Sequence, residues 1–344
     1  MMKIRLLIAA DDIEYTEHLS NFLSEKYSDT FFVSVCIASE RLLELLSAQD
    51  FDVALLDTSL IGSTAIGSVR MPLLLWDENE FLSDTCCNFA RISKYQRISS
   101  IVGEILENYA KVSTPGICLD SDKSSITAIW SPAGGVGKTT VALAYASGKA
   151  ANGESVLYLN LEHFSSTQAF FANVGKSISS VFEMLEKNEG NLQMLIRGIL
   201  CHDTGTGVSY FCKPDNFDDM NILSAEDIAT LTMSCAGITD ELIIDLPCTC
   251  DERIRQVFEY ADRVLLVTDQ TSAAQAKLRQ FASQHSVFER IRGKAALIAN
   301  KGASFAEPFI EVSAFLPFVQ SADASAVYKT LSGNLINAWA GEPR

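Results

Sequence analysis

The run Ser131-Pro132-Ala133-Gly134-Gly135-Val136-Gly137-Lys138-Thr139-Thr140 follows directly on the apolar stretch 126–130 and leads straight into Val141-Ala142-Leu143-Ala144. Strand, glycine-rich turn and helix in that order constrain the fold more tightly than anything else in the chain. Glycines let backbone N–H groups turn inward onto phosphates, the helix N-terminus adds a favourable dipole, Lys138 brings a point charge, and the Thr139 hydroxyl can reach a divalent cation. The loop predicts a parallel α/β sheet with a phosphate cradle from Gly134 through Gly135, Val136, Gly137, Lys138 and Thr139 to Thr140, at the carboxyl end of its strand. The general phosphate-loop spacing would have glycine at position 132, where Pro132 stands.

The same alternation runs along the whole chain. Before the loop, residues 4–10, 31–37, 52–56 and 73–76 read as strands, a short segment around Ile92-Ser93-Lys94 follows as the fifth, and 39–46 and 96–110 read as helices, an array of about 110 residues. Residues 113–125 include Ser113-Thr114-Pro115-Gly116 and Asp120-Ser121-Asp122-Lys123-Ser124-Ser125, polar turn formers that read as a linker. Strands follow at 126–130, 155–161, 242–245, 264–268 and 294–299, with a helix from Lys138, a helical middle, and a helix over 272–285. Two α/β domains are expected, 1–112 and 126–344, each a mostly parallel sheet covered on both faces. The terminal run 331–344 has apolar periodicity but lacks the basic residues of a membrane-surface helix, so it is expected to pack on the second domain.

Charge narrows the function. Lys plus Arg number 27 against 43 Asp plus Glu, a net charge of −16 that opposes non-specific attraction to DNA and to anionic lipid. Residues 1–112 hold nine basic and 17 acidic residues, so the front domain shares the excess. No apolar run approaches the roughly 20 residues that span a bilayer, and Asp11-Asp12 cuts short the apolar start, so the chain reads as cytoplasmic. Nine cysteines without a C-x2-C repeat are expected to be reduced and to act as small hydrophobes.

The Gly134-Gly135-Val136-Gly137-Lys138-Thr139-Thr140 form resembles the deviant Walker A loop of the MinD/ParA family of dimeric ATPases. The resemblance continues in order: Val156-Leu157-Tyr158-Leu159-Asn160-Leu161-Glu162 is similar to the family's second strand, Asp240-Glu241-Leu242-Ile243-Ile244-Asp245-Leu246-Pro247 to its Walker B strand, and Ile298-Ala299-Asn300-Lys301 to the strand that ends at the base. It implies ATP and Mg²⁺ as cofactors and a homodimer as the working state. It also implies roles for Glu162 in orienting water or metal, Asp245 in a water-mediated contact to Mg²⁺, Asn300 on adenine, and Pro317 in a short loop over the base. Two positions depart from the pattern. The family's lysine that reaches across the dimer would fall at Ala133, and the first acid of the second strand is Asn160. Without the added cation at 133, hydrolysis is expected to be slow or absent, because developing transition-state charge gains most from it.

In the front half, Asp11 and Asp12 after the first strand, Asp57 after the third and Lys94 after the fifth resemble the site of receiver domains, which are flavodoxin-like. Such carboxylates would bind Mg²⁺, and the lysine would hold a phosphoryl oxygen. The hydroxyl expected after the fourth strand is missing from Leu75-Trp76-Asp77, and Lys94-Tyr95 replaces the usual Lys-Pro. The expectation is a receiver-like docking or dimerisation module that has lost phospho-signalling. A receiver-like domain fused to a MinD/ParA-type ATPase resembles the TadZ/CpaE group, which places and assembles bacterial Tad-type pili or secretion machinery. That implies an ATP-binding localisation factor whose partners are pilus or secretion-assembly proteins, working at a cell pole or at the membrane through those partners, without nucleic acid and without direct membrane insertion. A ParA- or MinD-like partitioning or division-site ATPase is the alternative, and a phosphorylation-controlled response regulator with an ATPase output is a third.

Overall fold

The computed structural model describes residues 3–60, 69–77, 89–113, 124–172, 175–304, 310–321 and 323–339. Most of the linker and the pair Cys86-Cys87 lie outside these residues. Contacts divide the chain into two units, one of Met1–Gly116 with Glu189–Gly198, the other of Ile117–Asn188 with Ile199–Arg344.

The first unit is built on five parallel strands, β1 (Ile4–Ala9), β2 (Phe31–Cys36), β3 (Phe51–Asp57), β4 (Val69–Trp76) and β5 (Ala90–Ser93), in the order β2-β1-β3-β4-β5. This is the doubly wound order of flavodoxin-like folds, whose switch point lies between β1 and β3. All seven residues of β3 are buried, as a mid-sheet strand covered on both faces requires. Helix α1 (Ile13–Lys26) begins where the Asp12 carboxylate accepts from Tyr15 N, and α2 (Ser39–Ala48) and α3 (Ile98–Val112) complete the unit's own run of sequence. Ile101, Val102, Ile105, Leu106 and Tyr109 of α3 pack with Leu6, Ile8, Leu55 and Leu73 of the sheet.

The second unit holds an eight-stranded sheet. Along the chain come β6 (Ser125–Trp130), α4 (Lys138–Ala151), β7 (Val156–Asn160), α5 (Ser179–Lys187), α6 (Leu192–Ile199), β8 (Cys201–His202), β9 (Val208–Tyr210), α7 (Asp219–Ile222), α8 (Ala225–Ala236) and β10 (Glu241–Asp245). Then follow α9 (Glu252–Tyr260), β11 (Arg263–Thr268), α10 (Ser272–Ala282), α11 (His285–Ile291), β12 (Ala295–Ala299), β13 (Val312–Phe315) and α12 (Ala324–Trp339). The strand order is β13-β12-β11-β6-β10-β7-β9-β8, parallel except for β8 against β9. Leu242, Ile243 and Ile244 are fully buried in β10, each stabilising by roughly 1.5–3 kcal/mol relative to exposure. That apolar strand is what can carry Asp245 at its end into the interior. Tyr328, Leu331 and Leu335 of α12 pack with Val141 and Tyr145 of α4, so the terminal helix sits on its own domain as its periodicity predicts.

Two differences from the sequence reading concern the middle of the chain. The stretch expected to be helical also carries the short strands β8 and β9, whose two and three residues are too few for a period to register. The linear division gives all of 126–344 to the second domain, whereas Glu189–Gly198 lies with the first unit. The cause is a close helix crossing: a Cβ on Gly103 of α3 would stand 2.5 Å from Gly198 O, Asn191 N donates to Ala110 O at 2.9 Å, and Met194 packs on the α3 cluster. Only paired glycines let backbones approach this closely, and no local sequence pattern announces such a pairing. Among the described residues six cysteines are free thiols, and no helix is long and apolar enough to cross a membrane.

Candidate functional site

The cradle forms at the switch point of the second sheet, where β6 lies between β10 and β11. Gly135 at φ +74° and Gly137 at φ +93° turn the chain as only glycine does without strain. Gly137 is also the N-cap of α4, and a Cβ there would collide with Asn300 Nδ2. Ser131 Oγ accepts from Ala133 N at 3.1 Å, and Ala133 is itself packed in the apolar cluster.

Lys138, the first residue of α4, is 6% exposed; its Nζ lies 3.4 Å from Glu162 Oε1 and donates to Cys248 Sγ at 3.3 Å. Burial disfavours its charge, but Cys248, Glu162 and Asp245 together outweigh that and raise its pKa. Asp245 is fully buried. Thr139 Oγ1 donates to its Oδ2 at 2.6 Å, Tyr158 OH at 2.9 Å and Asn160 Nδ2 at 3.3 Å. Oδ1, equally buried, has no partner among the described residues. Burial, reinforced by Glu162, pushes the Asp245 carboxyl up to about 7.

This arrangement suits a divalent cation. A hydroxyl has one proton and two lone pairs, and the Thr139 proton is committed to Asp245, which leaves oxygen lone pairs for a metal. Asp245 Oδ1 is a buried acceptor that a metal-bound water would satisfy. Lys138, Thr139, Glu162 and Asp245, each singled out in the sequence, therefore meet in one place.

At the far side of the loop, Asn300 is 4% exposed and its Nδ2 donates to Val136 O at 2.8 Å. Lys301, at φ +55°, donates from Nζ to Gly135 O at 2.5 Å and pairs with Asp269 Oδ2 at 3.2 Å. The β12 end thus braces the outer turn of the cradle. Pro317 is exposed and follows Leu316, whose N and O bond to Ala299 O and Gly302 N, so it stands beside the Asn300 turn. Sequence reasoning assigned no role to Tyr158 or Cys248. An aromatic inside a strand reads as core, and only its two-residue spacing from Asn160, on the same face, hints otherwise.

In the first unit, three of the four residues read as a receiver site, Asp12, Asp57 and Lys94, lie near one another, the Asp12 charge adding to that of Asp57 in raising the Lys94 pKa. Lys94 Nζ pairs with Asp57 Oδ2 at 2.7 Å, both buried. Burial opposes the Lys94 charge, but the hydrogen bond and charge of Asp57 overcome it and raise the pKa. The Tyr15 and Tyr95 rings meet edge-on 6.2 Å apart, with Lys94 Nζ 5.3 and 5.9 Å from their centroids. Asp12 caps α1 and Asp11 is exposed. Trp76 stands at the end of β4, 5.7 Å from the Arg91 guanidinium carbon.

No protein-family model matches the chain, and no curated protein does. Solved structures do. A ParA family ATPase from Chlorobium tepidum TLS is similar over 64% of this chain and 99% of its own, with 16% identity and a TM-score of 0.54. The MinC:MinD cell division protein complex of Aquifex aeolicus is similar over 64% of this chain and 98% of its own, with 15% identity and a TM-score of 0.50. A share of 64% exceeds what the first unit could supply, so the likeness establishes a ParA/MinD-type fold for the second.

Proposed function

We propose that this protein is a nucleotide-dependent positioning factor whose second unit binds ATP with Mg²⁺ at Gly134–Thr140, dimerises in that state, and hydrolyses ATP slowly or not at all. The observation that carries the reading is the meeting of Lys138, Thr139, Glu162 and Asp245 beneath one glycine turn, with Asp245 Oδ1 buried and unpartnered. Thr139 Oγ1, and Asp245 Oδ1 through water, would hold the cation, which neutralises phosphate charge when bound. Lys138 would leave Glu162 and Cys248 for phosphate oxygens, Glu162 would orient a water, and Asn300 and Pro317 would flank the base. Calorimetry tests this: ATP with Mg²⁺ binds, and Lys138→Ala weakens it roughly 10- to 100-fold, the worth of one charge-assisted hydrogen bond. Unchanged affinity in that variant removes the cradle from the reading.

A finer reading, the TadZ/CpaE type, is favoured by one observation in the first unit. The Asp57–Lys94 pair is buried, with Lys94 Nζ against the Tyr15 and Tyr95 rings, in a sheet of flavodoxin-like order. An acid so enclosed suits a docking module better than a phosphoacceptor. On this reading the first unit recruits pilus or secretion-assembly proteins, and the MinC:MinD complex is a precedent for a partner bound by such a fold. DNA partitioning needs a basic face, against which the charge of −16 weighs.

A further inference from the structure

Asp245 is held from one side only. Three donors converge on Oδ2, from α4 (Thr139) and from β7 (Tyr158 and Asn160), while Oδ1 has none among the described residues. Strand register explains the reach: β10 pairs with β7 so that Asp245 lies opposite Asn160 and Ile243 opposite Tyr158. Side chains two apart on a strand share a face, so the Tyr158 hydroxyl extends diagonally to the carboxylate of its neighbour strand. Tyr158 is 1% exposed, and burial holds its hydroxyl proton firmly.

The network does not stop at Asp245. Asn160 Nδ2 also donates to Tyr158 OH at 3.0 Å, and Asn160 Oδ1 accepts from Glu162 N at 2.9 Å. Glu162 in turn carries the carboxylate that pairs with Lys138. The donors and acceptors match: the Tyr158 proton goes to Asp245 and its lone pair accepts from Asn160, the two Asn160 Nδ2 protons go to Tyr158 OH and Asp245 Oδ2, and the Asn160 carbonyl accepts from the backbone N–H of Glu162. An acid at 160 would set a second carboxylate against Asp245 in place of a donor.

We infer that Tyr158 is a positioning residue for the metal, fixing the Asp245 rotamer so that Oδ1 faces the cation and linking that carboxylate, through Asn160, to the segment that begins at Glu162. The inference rests on the Mg²⁺–nucleotide reading of the site. Tyr158 touches neither metal nor nucleotide; it acts through Asp245. Removing its hydroxyl leaves the ring and its packing, including the contact with Phe171, in place. It also leaves the cradle glycines, Lys138 and Thr139 untouched, so metal-free nucleotide affinity depends little on it.

The experiment compares Tyr158→Phe with wild type by calorimetry, measuring ATP affinity once with excess Mg²⁺ and once in EDTA. The readout is the ratio of the two, which a general loss of structure would leave unchanged because it weakens both arms. Tyr158→Phe is expected to lose roughly tenfold or more of the Mg²⁺ enhancement with its EDTA affinity unchanged. Asn160→Ala, at a strand end where folding is less at risk, should shift the ratio in the same direction. Tyr145→Phe, which removes a buried hydroxyl bonded to Arg263, is expected to leave the ratio unchanged. Wild-type enhancement in both Tyr158→Phe and Asn160→Ala overturns the inference and leaves the nucleotide reading intact, as does equal weakening of the two arms in both. Absence of any ATP binding by the wild type overturns the nucleotide reading itself and the inference with it.

Discussion

Asp245→Asn is expected to stabilise the nucleotide-free protein at alkaline pH. The Asp245 carboxyl rises from an ordinary 3.8 to about 7 on folding, chiefly through burial. Between those values the native state holds a proton that the unfolded chain has released, so stability falls as pH climbs through the window and levels off above its top. At 1.36 kcal/mol per pH unit the full penalty is about 4 kcal/mol, and because the side chain is fully buried, water screens little of it. Asparagine removes the charge. Its oxygen keeps the Oδ2 position, where three donors converge, and its NH₂ takes the Oδ1 position without an acceptor, costing about 1–3 kcal/mol. The net gain above about pH 8 is therefore about 1–3 kcal/mol. It should shrink by about 2 kcal/mol near pH 5.5, where most native molecules already carry the proton. Urea unfolding of both proteins at the two pH values measures the difference, and the variant should have lost its Mg²⁺ response. A stability difference that does not change with pH, or a variant less stable than wild type above pH 8, would refute the reasoning.

Turnover of ATP by the protein alone should fall below about 1 s⁻¹, the low end of ordinary phosphoryl transfer, because Ala133 offers a packed methyl where a cation would help; a coupled phosphate-release assay reaching that rate contradicts it. In the same samples, ATP should shift sedimentation from monomer to dimer. Duplex DNA should not be retained in a gel-shift titration at about 0.15 M salt, since counterion release needs basic residues the chain lacks in excess; salt-sensitive micromolar binding would favour partitioning instead. Acetyl phosphate with Mg²⁺ should leave the intact mass unchanged, because Asp57 is buried against Lys94, and Asp57→Asn should lower stability by about 3–5 kcal/mol by stranding a buried ammonium. Stable phosphorylation that vanishes in Asp57→Asn would make the first unit a working receiver.

How much could be read from residues alone depended on range. The cradle was legible because everything it needs is contiguous: an apolar strand, glycines where φ is positive, a lysine and a hydroxyl at the helix start. Asp245 was legible because an acid ending a strand of apolar residues is conspicuous. The support behind these groups was not. Tyr158 reaches Asp245 across 87 positions, and Asn300 reaches Val136 across 164, so neither contact leaves a local pattern. Cys248 reads as a loop cysteine until the fold sets it beside Lys138. The Gly103–Gly198 crossing needs two glycines whose spacing follows no period.

That crossing reverses the usual order of manufacture. The first unit's own leading sequence ends at Gly116, yet its second segment, which carries most of the helix that closes over α3, ends only at Gly198. At roughly 5–20 residues per second, a ribosome needs about 4–16 s to make the stretch between. Throughout that interval the nascent first unit presents the groove around Gly103 and the apolar cluster that Met194 will cover, a surface open to chaperones. A fragment cut at the linker is therefore an arrested stage of synthesis, with the groove still waiting for its helix.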